Sequence, residues 1–201
     1  ADAKEACDVA LARVPPLRHL NALEKCLPKE GIVTLDSDTM MNPDSLKAAR
    51  VAAGAVVRGV DQVFKRQADN VFCAVRPPGH HARPEFAMGF CLFNNVAIAA
   101  GQARSLHGLG RVSVVDFDVH HGNGTQHMFE ADAGLFFAST HQYPYYPGTG
   151  AADERGVGNI VNVPLSPRAG SEEFRAAYDH VILPRLRDFR PDFLLVSAGF
   201  D

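Results

Sequence analysis

Acidic and imidazole side chains recur at every second position after an apolar run. The run from 112 to 115 reads Val-Ser-Val-Val, and Asp116, Asp118 and His120 follow it. Side chains of an extended strand alternate between its two faces, so these three project to the same side. Two carboxylates and an imidazole would be costly to bury at a strand end without a counter-ion. The pattern predicts a divalent metal site, and a solvated polar exit from the strand is the simpler alternative.

Two further apolar runs end in residues that suit catalysis. The run from 71 to 75 leads into Arg-Pro-Pro-Gly and then His80 and His81, a stiff loop carrying two adjacent histidines. Imidazoles transfer protons near neutral pH, although a histidine pair after a turn is more often a surface feature. The run from 193 to 197 leads to Asp201. Strands that end in such residues are typical of α/β active sites, which lie beyond the carboxyl ends of the strands.

Hydrophobic periodicity predicts alternating helices and strands. Helices are expected at 3–13, 17–26, 46–67, 94–106 and 171–189, the last perturbed at Pro184, and strands at 71–75, 112–116, 134–139, 160–163 and 193–197. This alternation favours an α/β fold with a mainly parallel sheet covered on both faces. With 201 residues, of which 46% are hydrophobic, the chain can bury one core, and we expect a single domain spanning 1–201.

Composition argues against several classes of partner. A net charge of −3 gives no basic patch, so direct nucleic-acid binding is not expected. No apolar stretch approaches the roughly 18 residues of a membrane span, and the first residues lack the form of a signal peptide. The four cysteines are scattered without a CxxC pair, which predicts reduced thiols and a cytoplasmic location. The sequence leaves the oligomeric state open.

The ordered motifs resemble those of the histone deacetylase superfamily, which includes acetylpolyamine amidohydrolases and acetoin-utilisation-type proteins. The matching segments are RPPGHHA at 76–82, GFCLFNN at 89–95, DFDVHHGNGTQ at 116–126, PGTG at 147–150, VNVPL at 161–165 and SAGFD at 197–201. The residues of these motifs are similar to those of the class II and bacterial branch of the superfamily. The resemblance implies a three-layer α-β-α fold of the arginase/deacetylase type. It also implies that this chain is incomplete, because the family's transition-state tyrosine follows the SAGFD motif.

The resemblance implies two cation sites. One catalytic Zn²⁺ would be held by Asp118, His120 and Asp201, with open positions for water and substrate. The residue types alone leave Fe²⁺ or Co²⁺ open, because one imidazole and two carboxylates form a rather hard ligand set. A structural K⁺ would be held by the strand-end segment and its neighbour, at Asp116, Asp118, His120, Ser139 and Thr140.

The resemblance also assigns proton-transfer roles and a substrate tunnel. His80 and His81 match the family's tandem histidines, one taking a proton from water and the other assisting the departing amine. Asp116 matches the carboxylate that orients the first histidine, and Asn123 matches the partner of the second.

The walls of an acyl-lysine tunnel would come from Gly89 and from two aromatic residues, Phe90 and Tyr146, with ordinary core packing as the alternative for the aromatic residues. The choice of Tyr146 over Tyr145 rests on its distance from the PGTG motif.

The implied reaction is hydrolysis of an acetylated amine, either acetyl-lysine in a protein or an acetylpolyamine. One alternative is a non-catalytic module that binds acylated amines or protein partners. Another is a di-manganese ureohydrolase, which shares the Asp-x-His signature. That chemistry needs an aspartate two residues after the histidine, where this chain has Gly122.

Overall fold

The computed structural model describes residues 3–14 and 16–200. The chain divides into two compact units, Ala1–Gly108 and Leu109–Asp201, called here the N-terminal unit and the C-terminal unit. Asp201, the third predicted metal ligand, lies outside the described residues. Among the helices that the structure describes, none is long and apolar enough to cross a membrane.

The N-terminal unit is mainly helical. It contains α1 (Asp8–Leu11), α2 (Leu17–Cys26), α3 (Ser45–Phe64) and α4 (Asn95–Ser105), together with a short antiparallel pair, β1 (Val33–Thr34) and β2 (Met40–Met41). The helices expected at 17–26, 46–67 and 94–106 are confirmed to within three residues. The helix expected at 3–13 is reduced to a single turn, and Ala6 before it donates its backbone N–H to the Arg50 carbonyl of α3 instead.

The prediction of a strand at 71–75 is wrong. These residues form no β-ladder, and the side chains of Val71 and Phe72 are 38% and 75% exposed. An apolar run does not by itself make a strand, which also needs a neighbour with which to exchange backbone hydrogen bonds. The histidine loop that follows is therefore held in the N-terminal unit by side-chain contacts.

The helices of the N-terminal unit share an apolar core and several polar contacts. Leu11, Leu20, Leu23, Met41, Phe93 and Ile98 are among its buried members. On the polar side, the Gln102 side-chain amide of α4 donates to Asp61 Oδ1 of α3 at 2.7 Å. His107 Nε2 lies 2.7 Å from the same oxygen. This second contact ties the end of α4 to α3.

The C-terminal unit is built on a four-stranded parallel sheet. Its strands are β3 (Val112–Asp116), β4 (Leu135–Gln142), β5 (Ile160–Leu165) and β6 (Phe193–Ser197), in the order β5-β4-β3-β6. All four confirm the predicted strands, although β4 and β5 run two or three residues further than expected. Asp116 is in register with Ser139 on one side and Ser197 on the other, so three polar residues meet at the carboxyl edge.

The C-terminal unit also contains helices, the last of which packs on the sheet. α5 (Asn123–Phe129), which the pattern does not predict, follows β3, and α6 (Ser171–Ala177) and α7 (Leu183–Phe189) are joined by a π-helical turn at Tyr178–Ile182. The turn ends two residues before Pro184, which has no N–H to continue the α-helical pattern. Ile182, Leu186 and Phe189 pack on Val115 and Phe136 of the sheet. The perturbation expected near Pro184 is thus confirmed.

Candidate active-site residues in the two units

The segment after β3 brings two predicted metal ligands into contact. Asp118 Oδ1 accepts a hydrogen bond from the His120 backbone N–H at 2.8 Å and lies 3.1 Å from His120 Nδ1. Asp116 Oδ1 accepts from the Asp118 backbone N–H at 3.1 Å and is fully buried. The Asp118 and His120 side chains keep 16% and 25% exposure, so both can reach a ligand from solvent.

This pair fits a divalent cation. A carboxylate oxygen and an imidazole nitrogen at one point are ligands that zinc accepts. The backbone of Gly199, just after β6, passes so close that a Cβ atom there would clash with the Asp118 carboxylate. Within residues 3–14 and 16–200, no group of three His, Cys, Asp or Glu side chains is placed to hold a metal. The Asp118–His120 pair is therefore two parts of the predicted set, and the prediction for Asp201 stays untested.

The oxygens predicted for a monovalent cation lie beside this pair on β4. Ser139 and Thr140 are buried, and Ser139 faces Asp116 across the β3–β4 ladder. Ser139 Oγ lies 2.9 Å from His141 Nδ1. His141 Nε2 lies 2.9 Å from the Gly150 carbonyl, which can only accept, so Nε2 carries the proton and Nδ1 accepts from the Ser139 hydroxyl. The Ser139 oxygen thereby keeps lone pairs for a cation.

Two buried histidines beside these ligands receive no role from the sequence. His121 Nε2 lies 2.9 Å from Gln126 Oε1, and its Nδ1 lies 2.8 Å from Thr149 Oγ1. Burial, and secondarily the neighbouring His141 ring, lowers the pKa of His121 to about 4. Burial also lowers the pKa of His141. Both imidazoles are therefore neutral at physiological pH, and their contacts link the strand end to the PGTG segment.

Both tyrosines before the PGTG motif contact the ring of His120. Tyr145 stacks on it with a centroid separation of 5.2 Å and an interplanar angle of 16°. Tyr146 meets it edge-on at 6.0 Å and 79°. The sequence singles out Tyr146 alone. The structure places Tyr145 against the same ring, a contact that spacing from PGTG does not indicate.

The tandem histidines of the N-terminal unit are buried. The rings of His80 and His81 lie 4.0 Å apart at 48°, and the two residues are 7% and 5% exposed. The surface interpretation of this pair is therefore wrong. Asn94 holds the loop from α4: its side-chain amide donates to the Ala82 carbonyl at 3.3 Å, while its Oδ1 accepts from Ala97 N and caps the helix. Asn95 donates to the Pro77 carbonyl at 3.1 Å.

The asparagines are functional candidates that the sequence reasoning missed. Their signal was the N-cap position before an alanine-rich helix.

The Gly89–Phe90 turn packs against the second histidine. Gly89 has a φ of +57°, and a Cβ atom there would overlap the His81 ring. Asp38 Oδ1 accepts from the Gly89 N–H at 3.2 Å, and Thr39 Oγ1 accepts from the Phe90 N–H at 3.1 Å. The Phe90 side chain is 65% exposed, so core packing does not explain it. The ring is therefore open to solvent on a turn whose backbone packs against His81.

Asn123, the remaining predicted site residue, begins α5 in the C-terminal unit. Its backbone N–H donates to the His121 carbonyl at 2.8 Å. This contact fixes the turn by which the chain passes from the metal-ligand segment into the helix.

Comparison with known proteins identifies the family of this chain. The histone deacetylase domain family matches residues 1–201. A histone deacetylase-like amidohydrolase of Pseudomonas aeruginosa is 41% identical over 99% of this chain and 53% of its own length. Polyamine deacetylase HDAC10 of Rattus norvegicus is 41% identical over 96% of this chain and 35% of its own length.

The solved HDA15 HD domain superposes with a TM-score of 0.95 at 42% identity, covering all of this chain and 60% of that one. The likeness confirms the expected three-layer α/β fold of the arginase/deacetylase type. The chain thus spans about a third to three fifths of the length of these relatives. It belongs to the histone deacetylase family.

Proposed function

We propose that the protein hydrolyses the amide bond of an acetylated amine, with acetyl-lysine in a protein or an acetylpolyamine as the substrate. The observation that carries this proposal is the Asp118–His120 pair, a carboxylate and an imidazole 3.1 Å apart at the carboxyl edge of a parallel sheet. The two relatives support it, since one is a deacetylase-like amidohydrolase and the other a polyamine deacetylase.

The metal in this proposal is one zinc ion held by Asp118, His120 and Asp201. When bound, zinc would polarise the amide carbonyl and lower the pKa of a water molecule. A K⁺ ion is proposed for the neighbouring oxygens of Asp116, Asp118, His120, Ser139 and Thr140. Burial of the Asp116 carboxylate supports this second site, because a buried charge needs compensation.

The proton transfers are proposed for the tandem histidines. One of His80 and His81 accepts the proton of the attacking water, and the other donates a proton to the departing amine. Asp116 orients the first imidazole, and Asn123 is the partner of the second. Because Asn123 is neutral, it does not stabilise the cationic form of its partner as an acid would.

The substrate's acyl chain is proposed to pass Gly89, Phe90 and Tyr146. The exposed Phe90 ring and the contact of Tyr146 with His120 support these assignments. We also propose a cytoplasmic location, which the four free cysteines support.

Metal analysis combined with acetate release tests the proposal. The purified protein is expected to contain about one divalent metal per chain, and Asp118→Ala to lose both the metal and the turnover of an acetyl-lysine peptide or acetylpolyamine. Asp153→Ala removes an exposed carboxylate of the same unit and serves as the control. Equal metal content in Asp118→Ala and the parent would contradict the assignment. Metal binding without acetate release from either substrate would favour the non-catalytic binding module.

A further inference from the structure

A carboxylate with no part in the proposed reaction anchors the end of the tyrosine loop. Glu154 Oε1 accepts hydrogen bonds from the backbone N–H groups of Gly150 and Ala151, both at 3.0 Å. Its second oxygen, Oε2, accepts from the side-chain amide of Gln126 in α5 at 2.5 Å. These three donors lower the pKa of Glu154, so it is ionised at physiological pH. The loop carrying Tyr145 and Tyr146 thus returns to the fold at a charge-assisted anchor.

The anchor fixes which nitrogen of His121 carries the proton. Because the Gln126 NH₂ group faces the carboxylate, Gln126 Oε1 must face the other way, where it accepts from Asn162 Nδ2 at 2.7 Å. The same oxygen lies 2.9 Å from His121 Nε2, so this nitrogen must be the donor. His121 Nδ1 then accepts from the Thr149 hydroxyl at 2.8 Å. Each hydrogen bond in this series has a defined direction.

A second imidazole fixes the same point of the loop. His141 Nε2 donates to the Gly150 carbonyl at 2.9 Å. Gly150 has a φ of +94°, and a Cβ atom at this position would approach both the His121 and the His141 rings too closely. Thr149 and Gly150 are therefore held by two neutral imidazoles and one carboxylate. Tyr146, three residues before Thr149 on the same loop, contacts the His120 ring.

We propose that Glu154 is a positioning residue for substrate binding: through Gln126 it sets the tautomer of His121 and thereby fixes the loop that places Tyr145 and Tyr146 beside His120. The effect on substrate rests on the proposed function above, whereas the effect on the tautomer does not.

Replacing Glu154 by glutamine reverses one link in the series. The new amide oxygen can still accept from Gly150 and Ala151, but its NH₂ group then faces the NH₂ group of Gln126. Gln126 must rotate its amide to regain a hydrogen bond, which presents its NH₂ group to His121 Nε2 and also to Asn162, whose amide must rotate with it. His121 Nε2 can accept only if the proton moves to Nδ1, which then donates a hydrogen bond to the Thr149 oxygen. The double variant Glu154→Gln/Gln126→Glu restores an acceptor facing His121 Nε2 and a donor facing the new carboxylate.

Side-chain ¹⁵N NMR of the metal-loaded protein tests the tautomer. His121 is expected to be protonated at Nε2 in the parent, at Nδ1 in Glu154→Gln, and at Nε2 again in Glu154→Gln/Gln126→Glu. Asp153→Asn removes an exposed charge one residue away and should leave the spectrum of His121 unchanged. The proposal is overturned if His121 stays protonated at Nε2 in Glu154→Gln, or if the double variant fails to restore it.

Steady-state kinetics test the positioning role. In Glu154→Gln, the Thr149 hydroxyl must present a lone pair instead of its O–H to His121 Nδ1, which re-orients the loop. KM for an acetyl-lysine peptide or an acetylpolyamine should therefore rise about tenfold with kcat within about twofold, because the proton-transfer groups stay in place. The double variant should recover the parental KM. A fall in kcat at unchanged KM would contradict this role. If the parent itself releases no acetate, the proposed function fails, and the NMR experiment still decides the tautomer.

Discussion

The two units fix their candidate imidazoles by different means. In the C-terminal unit, Asp118 and His120 follow a strand whose neighbours on both sides set its register. In the N-terminal unit, His80 and His81 follow an apolar run without a β-ladder, and the amides of Asn94 and Asn95 hold their loop from the start of a helix. The strand end therefore depends on the sheet, whereas the histidine loop depends on a few side-chain contacts that single substitutions can remove.

The largest effect is expected on turnover when a proton-transfer histidine that does not bind the metal is replaced. His81→Ala should lower kcat by about 10²-fold or more, the usual contribution of a positioned acid or base. Its metal content should equal that of the parent, because His81 is not a proposed ligand. Acetate release and elemental analysis on one preparation measure both. His127→Gln alters an exposed histidine of α5 and is the control. Unchanged turnover in His81→Ala would show that the tandem histidines are structural.

A large loss of stability is expected when a buried asparagine of the C-terminal unit is replaced. The Asn159 side-chain amide donates to the backbone carbonyls of Phe129, Asp132 and Leu135 at 2.8, 3.0 and 2.7 Å. Asn159→Ala leaves these carbonyls without that donor and should lower the free energy of unfolding by about 2 kcal/mol. Asn159→Asp keeps the shape but turns an oxygen toward them, so it should destabilise at least as much. Denaturant unfolding that matches the parent in both variants would contradict this account.

Acid should destabilise the C-terminal unit through its buried imidazole. The pKa of His121 is about 4 in the folded chain against 6.5 ordinarily, so between these values only the unfolded chain takes up the proton. Stability should therefore fall as pH drops from 6.5 to about 4, with a slope approaching about 1.4 kcal/mol per pH unit.

Urea unfolding of the parent, His121→Asn and His127→Gln across this range measures the contribution of His121. His121→Asn should flatten the slope, and His127→Gln should keep it. An equal slope in all three proteins would show that His121 is not the group responsible.

The sequence predicted the C-terminal sheet well because both the strands and their partners lie within the chain. Apolar runs such as 112–116 and 193–197 pair in register. Asp118 and His120 meet as expected, but they do so in a bend after β3 and not by alternation along an extended strand. The run 71–75 has the same pattern but no ladder, since a pattern states what a segment prefers and says nothing of its neighbour.

Contacts between residues far apart in the chain could not be predicted from the sequence either. Gln126 and Glu154 are 28 positions apart, as are His121 and Thr149, and nothing in their spacing indicates that they meet. The short β1–β2 pair and α5 were also missed. Two-residue strands carry too little periodicity to detect, and polar side chains interrupt the apolar pattern of α5.

The smallest effect tests how the histidine loop is held. Asn94 both caps α4 through Oδ1 and donates to the Ala82 carbonyl after the histidine pair. Asn94→Ala removes both contacts and should cost about 1 kcal/mol of stability, the usual value of an N-cap. Asn94→Ser retains a capping oxygen but loses the donor to the loop, so its stability should stay close to that of the parent.

Both variants of Asn94 should lower kcat by about fivefold, because His80 and His81 lose a contact that fixes their loop, and small displacements of catalytic groups reduce rates. Thermal unfolding and acetate release, measured on the same samples, separate capping from positioning. If Asn94→Ser had parental kcat as well as parental stability, the asparagine would serve the helix alone. The loop would then depend on other contacts, of which the Asn95 bond to the Pro77 carbonyl at 3.1 Å is the next to remove.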